Sequence, residues 1–213
     1  MSHDAISTIY EDDNLAAFNK PPGVNFDWVL LERPNLIPVH RLDKDTSGVI
    51  VFAKDQKTAD AMKLLFQSRE IKKTYAALVV GVINNDTGII NLPIGRSKKT
   101  PLRRVAVGEQ RGKIREAVTE YEVKKRYKGF TFVAAMPKTG RTHQIRSHFA
   151  AIGHPIACDK LYAGKRFLCP GGIERQFLHA QSIEFTRPNG SRLRLEADMP
   201  DDLLALLATL GGL

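Results

Sequence analysis

The stretch His40-Arg41-Leu42-Asp43-Lys44-Asp45-Thr46-Ser47-Gly48 sets carboxylates, hydroxyls and an arginine at the entry to the apolar run Val49-Ile50-Val51-Phe52-Ala53. Loops mounted on a rigid strand are where chemical groups concentrate. Arg41 and Asp43 are two positions apart, so extended backbone sends both side chains to one face. Taken alone, the pair is a surface turn with a local ion pair. Taken as chemistry, the stretch offers two carboxylates, Asp43 and Asp45, which could share one strand face. Asp45 sits where Thr46, Ser47 and Gly48 suit a turn, with hydroxyls to bond the backbone and a glycine to allow close approach. A lone catalytic carboxylate is therefore expected rather than the facing acid pair of glycosidases.

A second dense segment is Lys138-Thr139-Gly140-Arg141-Thr142-His143-Gln144-Ile145-Arg146-Ser147-His148. It follows an apolar strand and opens a helix, whose first N–H groups and positive dipole welcome an anion. Arg141 and Arg146 add permanent charge; the plainer alternative is that one arginine pairs with a structural carboxylate. His143, His148 and His154 are spaced five and six apart, not the three or four that puts two metal ligands on one helical face, so no metal is expected. Tyr75, in Lys72-Lys73-Thr74-Tyr75, begins a strand behind basic residues. It is either core or a ring placed over a flat ligand. No GxSxG, P-loop or GxGxxG is present, which leaves the matching hydrolase and nucleotide-binding readings unsupported.

These groups need mounts. Ile6–Tyr10 and Leu15–Asn19 read as short strands, the second ended by Lys20-Pro21-Pro22-Gly23. Gly48–Ala53 is a strand. Asp55 caps a helix to about Arg69, with Ala59, Met62, Leu65 and Phe66 on one face. Thr74–Val82 is the next strand, and a βαβ unit is one way to join them. Residues 84–117 are loop-like with short strands, punctuated by Pro93, Gly95, Pro101, Gly108 and Gly112. Val118–Lys125 and Phe130–Ala135 form a hairpin. A helix runs from about Thr142 to Ile152, with Gly153 just past its end. Ile183–Thr186 and Arg192–Glu196 pair over Pro188-Asn189-Gly190. Pro200 opens a last helix with Asp201 and Asp202 in its first turn. The class is α+β: a large mixed, mostly antiparallel sheet with flanking helices. Residues 1–213 are expected to form a single domain.

The chain has 213 residues, 32 Lys+Arg against 23 Asp+Glu, and a net charge of +9. The excess is local. Residues 95–128 hold 12 basic and 4 acidic side chains, net +8. That density within the fold points to phosphate, most simply nucleic acid. Cys158 and Cys169 lack CxxC spacing and are too few for a zinc quartet, so a reduced intracellular setting is the default. No signal peptide or membrane span is expected.

With these segments in hand, the chain resembles the RluA family of pseudouridine synthases. The matching residues are His40-Arg41-Leu42-Asp43 with Thr46-Ser47-Gly48, Lys73-Thr74-Tyr75, Gly140-Arg141-Thr142-His143-Gln144-Ile145-Arg146, Gly153-His154-Pro155-Ile156, Leu178-His179-Ala180 and Lys20-Pro21-Pro22-Gly23. They stand in the family's order over roughly residues 7–200. The stretch between Gly23 and His40 looks short, and no room is left for the S4 domain many relatives carry. The resemblance implies a catalytic domain with a central RNA-binding cleft that turns uridine into pseudouridine, without cofactor or metal. Asp43 would be the catalytic carboxylate. Arg146 would pair with it, Tyr75 would pack on the base, and Arg41 would fill the gap left by the flipped uridine. Arg96, Lys98, Lys99, Arg103, Arg104 and Arg141 would follow the RNA backbone. The RNA partner is expected to be a ribosomal or transfer RNA stem-loop, ribosomal before transfer, met by a cytoplasmic monomer. A non-catalytic RNA-binding protein on the same scaffold is the rival reading.

Overall fold

A computed structural model describes residues 7–100, 102–187 and 190–211. Ile6, Pro101, Pro188 and Asn189, which figure in the expectations above, lie outside the described residues. In chain order the elements are β1 (Thr8–Glu11), β2 (Leu15–Lys20), β3 (Ile37–Pro38), β4 (Ser47–Ala53), α1 (Gln56–Gln67), β5 (Lys72–Val80), β6 (Thr87–Asn91), β7 (Ile94–Ser97) and β8 (Arg104–Val105). There follow β9 (Gln110–Arg115), β10 (Val118–Tyr127), β11 (Phe130–Pro137), α2 (Gln144–Ala151), β12 (Leu178–Thr186), β13 (Arg192–Glu196) and α3 (Asp201–Thr209). The class is α+β with mostly antiparallel sheet, as expected. Two compact units divide the chain: one runs up to Lys73 and includes His179–Met199, the other holds Thr74–Leu178 and the residues from Pro200.

In the first unit β1, β2 and β4 are antiparallel neighbours, with Ala17 opposite Val51 and Lys20 opposite Gly48. β12 joins β4 in parallel through His179↔Ser47 and Ala180↔Gly48, and β13 pairs antiparallel with β12. Every residue of β4 is buried. Such continuous apolar runs mark strands covered on both faces. Burying Val49, Ile50, Val51 and Phe52 contributes about 2 kcal/mol each before chain entropy is counted, which makes β4 a stiff mount for the loop before it. Helix α1 begins as expected: the Asp55 carboxylate accepts the Thr58 N–H at 2.8 Å. Ala59 and Met62 are buried with Leu15, Val49, Val51, Ile183 and Leu195. The helix ends two residues earlier than its apolar pattern suggests, and Arg69 turns to φ 65°.

In the second unit the β10–β11 hairpin turns at Lys128-Gly129, β11 pairs with β5, and β10 pairs with β6. A separate three-stranded sheet, ordered β8-β7-β9, gives the loop-like 84–117 region more order than its turn residues suggest. Helix α2 starts at Gln144 rather than Thr142, because His143 adopts φ 56° and cannot continue the helix backward. Its Phe149 is buried against Tyr121, ring centroids 5.6 Å apart. Arg175 clamps the start of α3 through Asp202 at 2.7 and 2.8 Å. Cys158 and Cys169, from which the sequence reading expected reduced thiols, are instead joined in a disulfide. Among the described residues no helix is long and apolar enough to cross a membrane.

Candidate active site

The Asp43 loop is held from several sides within the first unit. The Asp43 carbonyl accepts the Thr46 N–H at 3.1 Å, closing a turn that has Lys44 and Asp45 at its centre. Asp45 is thus a turn residue, and Asp43 stands before the turn, half-buried. Ser47 is buried and lies 2.9 Å from His179 Nδ1, while His179 Nε2 lies 3.0 Å from the Ala197 carbonyl. A carbonyl can only accept, so Nε2 carries a proton; in the neutral ring Nδ1 is then the acceptor and Ser47 donates. Gly48 follows with φ 115°, and a Cβ there would stand 2.2 Å from the Ala180 carbonyl oxygen. Only glycine permits this approach of β4 to β12.

Lys20 is the support that sequence reasoning missed. Its side chain is fully buried. Its ammonium donates to the carbonyls of Pro21, Val24 and Lys44 at 2.8, 2.9 and 2.8 Å. Three acceptors match the three donors of an ammonium. With the Gly23 N–H on the Lys44 carbonyl at 3.1 Å, the Lys20-Pro21-Pro22-Gly23 turn is stapled to the residue beside Asp43. A lysine closing an apolar strand just before Pro-Pro-Gly was the available signal. His40 props the other side: its Nε2 accepts the Val51 N–H at 2.9 Å and its ring lies 5.0 Å from Phe66. Burial, reinforced by the positive charge of Lys73, lowers its pKa to about 3, so the ring is neutral. Arg41 is exposed, its guanidinium 5.3 Å from the Phe26 ring centroid.

Tyr75 and Arg146 belong to the second unit. Tyr75 is half-buried on β5, opposite Ala135. Arg146 is buried at 7% exposure and grips Asp159 with Nε to Oδ2 at 2.7 Å and Nη2 to Oδ1 at 2.9 Å. Asp159 is thus one carboxylate partner of Arg146. Gln144 is buried and structural: its Oε1 accepts from Thr139 and Arg141, and its Nε2 donates to Val118 and Thr119. The three histidines face separate partners. His143 meets the Tyr162 hydroxyl, His148 meets Thr119 and the Leu92 carbonyl, and His154 meets the Val80 carbonyl.

The basic segment splits by role. Lys124 pairs with Glu122 and Arg126 with Asp86, so these cations brace β10 and its surroundings. A cleft of about 380 Å³ instead gathers Arg96, Arg104, Lys113, Arg115 and Arg141, with no acidic side chain among the described residues that line it. Lys98 and Lys99 stand exposed at the β7–β8 turn, and Arg103 lies 5.9 Å from the Tyr162 ring centroid. Of the six residues expected along an RNA backbone, three line the cleft. Lys113 and Arg115 complete it. Their alternation with Arg111 along β9 puts all three on one strand face, which was the signal for them.

A buried arginine–carboxylate clamp, a braced loop that carries Asp43 and Asp45, and a cationic cleft fit chemistry on a nucleic acid. Residues 25–151 match the family described as RNA pseudouridylate synthase. The chain is 36% identical over 234 residues to "Ribosomal large subunit pseudouridine synthase D" of Xanthomonas campestris pv. campestris, covering 96% of this chain and 69% of that one. This chain belongs to the RluA family of RNA pseudouridine synthases. It is an isomerase that acts on RNA. It is also 34% identical over 220 residues to "Ribosomal large subunit pseudouridine synthase C" of Haemophilus ducreyi, covering 95% of this chain and 68% of that one. Its fold is shared with "Human RNA Pseudouridylate Synthase Domain Containing 1", at a TM-score of 0.82 and 24% identity over 98% of this chain and 89% of that one. For this pseudouridine synthase, the Asp43 loop, Tyr75 and Arg146 fall on the segments through which the sequence resembles the family.

Proposed function

We propose that this synthase isomerises uridines of structured RNA with Asp43 as its one catalytic carboxylate. The observation that carries the reading is the mounting of Asp43. Lys20, His40, the Ser47–His179 link and the Gly48–Ala180 approach all converge on the loop that presents it, while Asp45 is spent in the turn. Uridine and pseudouridine are isomers. The N1–C1′ bond breaks, the uracil rotates while held, C5 bonds to C1′, and the proton lost from C5 is balanced by one gained at N1. No electron is gained or lost, so the reaction calls for no redox cofactor, and the reading includes no metal.

Breaking the glycosidic bond builds positive character on the sugar, which an ionised carboxylate can stabilise or capture. Arg146 pairs with Asp43 and keeps it ionised and oriented. In support, the Asp159 fork uses two of the five N–H groups of the Arg146 guanidinium, and guanidinium geometry suits a second carboxylate. Tyr75 packs against the uracil. Arg41 fills the space left by the extruded nucleotide; its exposed guanidinium, already resting on an aromatic ring, suits stacking among bases. Flipping costs a few kcal/mol, and the cationic cleft supplies binding energy toward it through phosphates. The two units work as one catalytic domain over residues 1–213, as a cytoplasmic monomer. Ribosomal RNA is the favoured substrate over transfer RNA, as the names of the bacterial relatives suggest.

The target is tested by mapping pseudouridines in cells that lack the protein and in the same cells supplied with wild type or Asp43→Asn. Sites in ribosomal RNA should vanish and return only with the wild type. Loss confined to transfer RNA would overturn the substrate assignment, and restoration by Asp43→Asn would overturn the mechanism.

A further inference from the structure

The segment from Cys158 to Cys169 contains no strand, yet it carries two groups that fix the guanidinium of Arg146. Asp159 is 1% exposed and fully used. Its Oδ2 takes Arg146 Nε at 2.7 Å, and its Oδ1 takes Arg146 Nη2 at 2.9 Å, the Leu161 N–H at 3.0 Å and the Tyr162 N–H at 3.1 Å. One carboxylate thus shapes its own loop and forks the arginine. Two parallel N–H···O bonds fix the plane of a guanidinium as well as its position. Tyr162, drawn in by the same carboxylate, brings its ring to 5.1 Å from the Arg146 guanidinium carbon. The Tyr162 hydroxyl accepts the Arg104 N–H at 2.8 Å and lies 3.0 Å from His143 Nδ1. Arg104 lines the cationic cleft. The Cys158–Cys169 disulfide closes the segment, and Cys158 adopts φ 62°, a conformation that few side chains take without reason.

We propose that Asp159, with Tyr162, is the positioning device of the synthase: it sets the plane of the Arg146 guanidinium so that its remaining N–H groups are aimed at the catalytic carboxylate. The inference rests on the reading that Arg146 acts on Asp43. Asp159 does not touch the substrate. Its contribution is orientation, and small misplacements of a catalytic partner cost rate steeply. An isolated arginine would sample several rotamers; the fork and the ring hold one. The link from Tyr162 to Arg104 adds a route by which occupation of the cleft by phosphate would steady the same clamp.

The test is a double-mutant cycle on the full chain with a uridine-containing RNA stem-loop substrate, read as the single-turnover rate at saturating RNA, with RNA affinity measured separately. Asp159→Asn keeps the volume but turns an acceptor into an N–H donor facing Arg146. Its rate should fall roughly tenfold or more with affinity within about threefold of wild type, because the loss is in orientation and not in binding. Arg146→Lys should fall at least as far. In the Arg146→Lys background Asp159→Asn should cost less than about threefold, since the fork is already gone. Multiplication of the two losses would overturn the inference, as would an unimpaired Asp159→Asn. An unimpaired Arg146→Lys would overturn instead the reading on which the inference rests. If Asp159→Asn fails to fold, Tyr162→Leu takes its place in the same cycle, and a loss that multiplies with that of Arg146→Lys overturns the inference equally.

Discussion

His40 gives the sharpest physical prediction. Its imidazole is buried enough that its pKa falls from 6.5 to about 3, with desolvation the larger cause and Lys73 the smaller. The folded state therefore resists a proton that the unfolded chain accepts. A depressed folded pKa leaves stability intact above the unfolded value and removes it as pH falls from about 6.5 toward 3. At pH 5 the unfolded histidine is almost fully charged and the folded one neutral, so linkage costs about 2 kcal/mol. The total approaches about 5 kcal/mol at lower pH, as an upper bound, because the residue is only half-buried. His40→Gln removes the titration and retains a side-chain oxygen for the Val51 N–H. Urea unfolding at pH 7.5 and pH 5.0 should show wild type losing about 2 kcal/mol more than His40→Gln across the interval. His148, whose pKa burial also lowers, is common to both proteins and cancels. Equal losses would refute the assignment of a neutral, proton-resisting His40 at the base of the Asp43 loop.

Three further outcomes follow from the mounting of the site. Gly48→Ala forces a Cβ to 2.2 Å from the Ala180 oxygen at φ 115°; it should cost about 4 kcal/mol or more and lower the melting temperature by about 10 °C, and a shift under about 2 °C would contradict the close packing. Lys20→Met strands the carbonyls of Pro21, Val24 and Lys44. A loss of about 3–5 kcal/mol in denaturant unfolding is expected, and one under about 1 kcal/mol would show that the ammonium is not a staple. Replacing Arg104, Lys113 and Arg115 together with alanine removes three of the five cations that line the cleft. RNA affinity should fall, and the slope of log K against log salt should become shallower by about 2; an unchanged slope would take the cleft off the RNA path.

Much of the fold was legible because its signals are local. Asp55 caps α1, Gly153 ends α2, and the two-residue turn at Lys128-Gly129 sets the β10–β11 hairpin. The Asp43 turn could be read from Asp45, Thr46, Ser47 and Gly48, though the Ala180 backbone that makes Gly48 obligatory lies 132 positions away. What stayed hidden is long-range. Neither composition nor spacing ties Lys20 to the Lys44 carbonyl, Ser47 to His179, or Arg146 to Asp159. The last is a partner the sequence reading did not consider, because Asp159 lies in a stretch with no periodic pattern. The basic segment was visible as a charge excess, but only strand pairing separates cations that brace β10 from those that share the cleft. His143 hid the true start of α2 by adopting a conformation unusual for its type.

The central claim is that Asp43 alone among the acids of its loop carries the reaction. It is tested most directly by tritium release from RNA labelled at uridine C5, comparing wild type, Asp43→Asn and Asp45→Asn, with RNA affinity measured for each. Asp43→Asn should fold, bind RNA within about threefold of wild type and release no tritium, because truncating a charge without changing shape removes the chemistry and leaves the phosphate contacts. Asp45→Asn should still release tritium. Release by Asp43→Asn at a rate comparable to wild type would contradict the account.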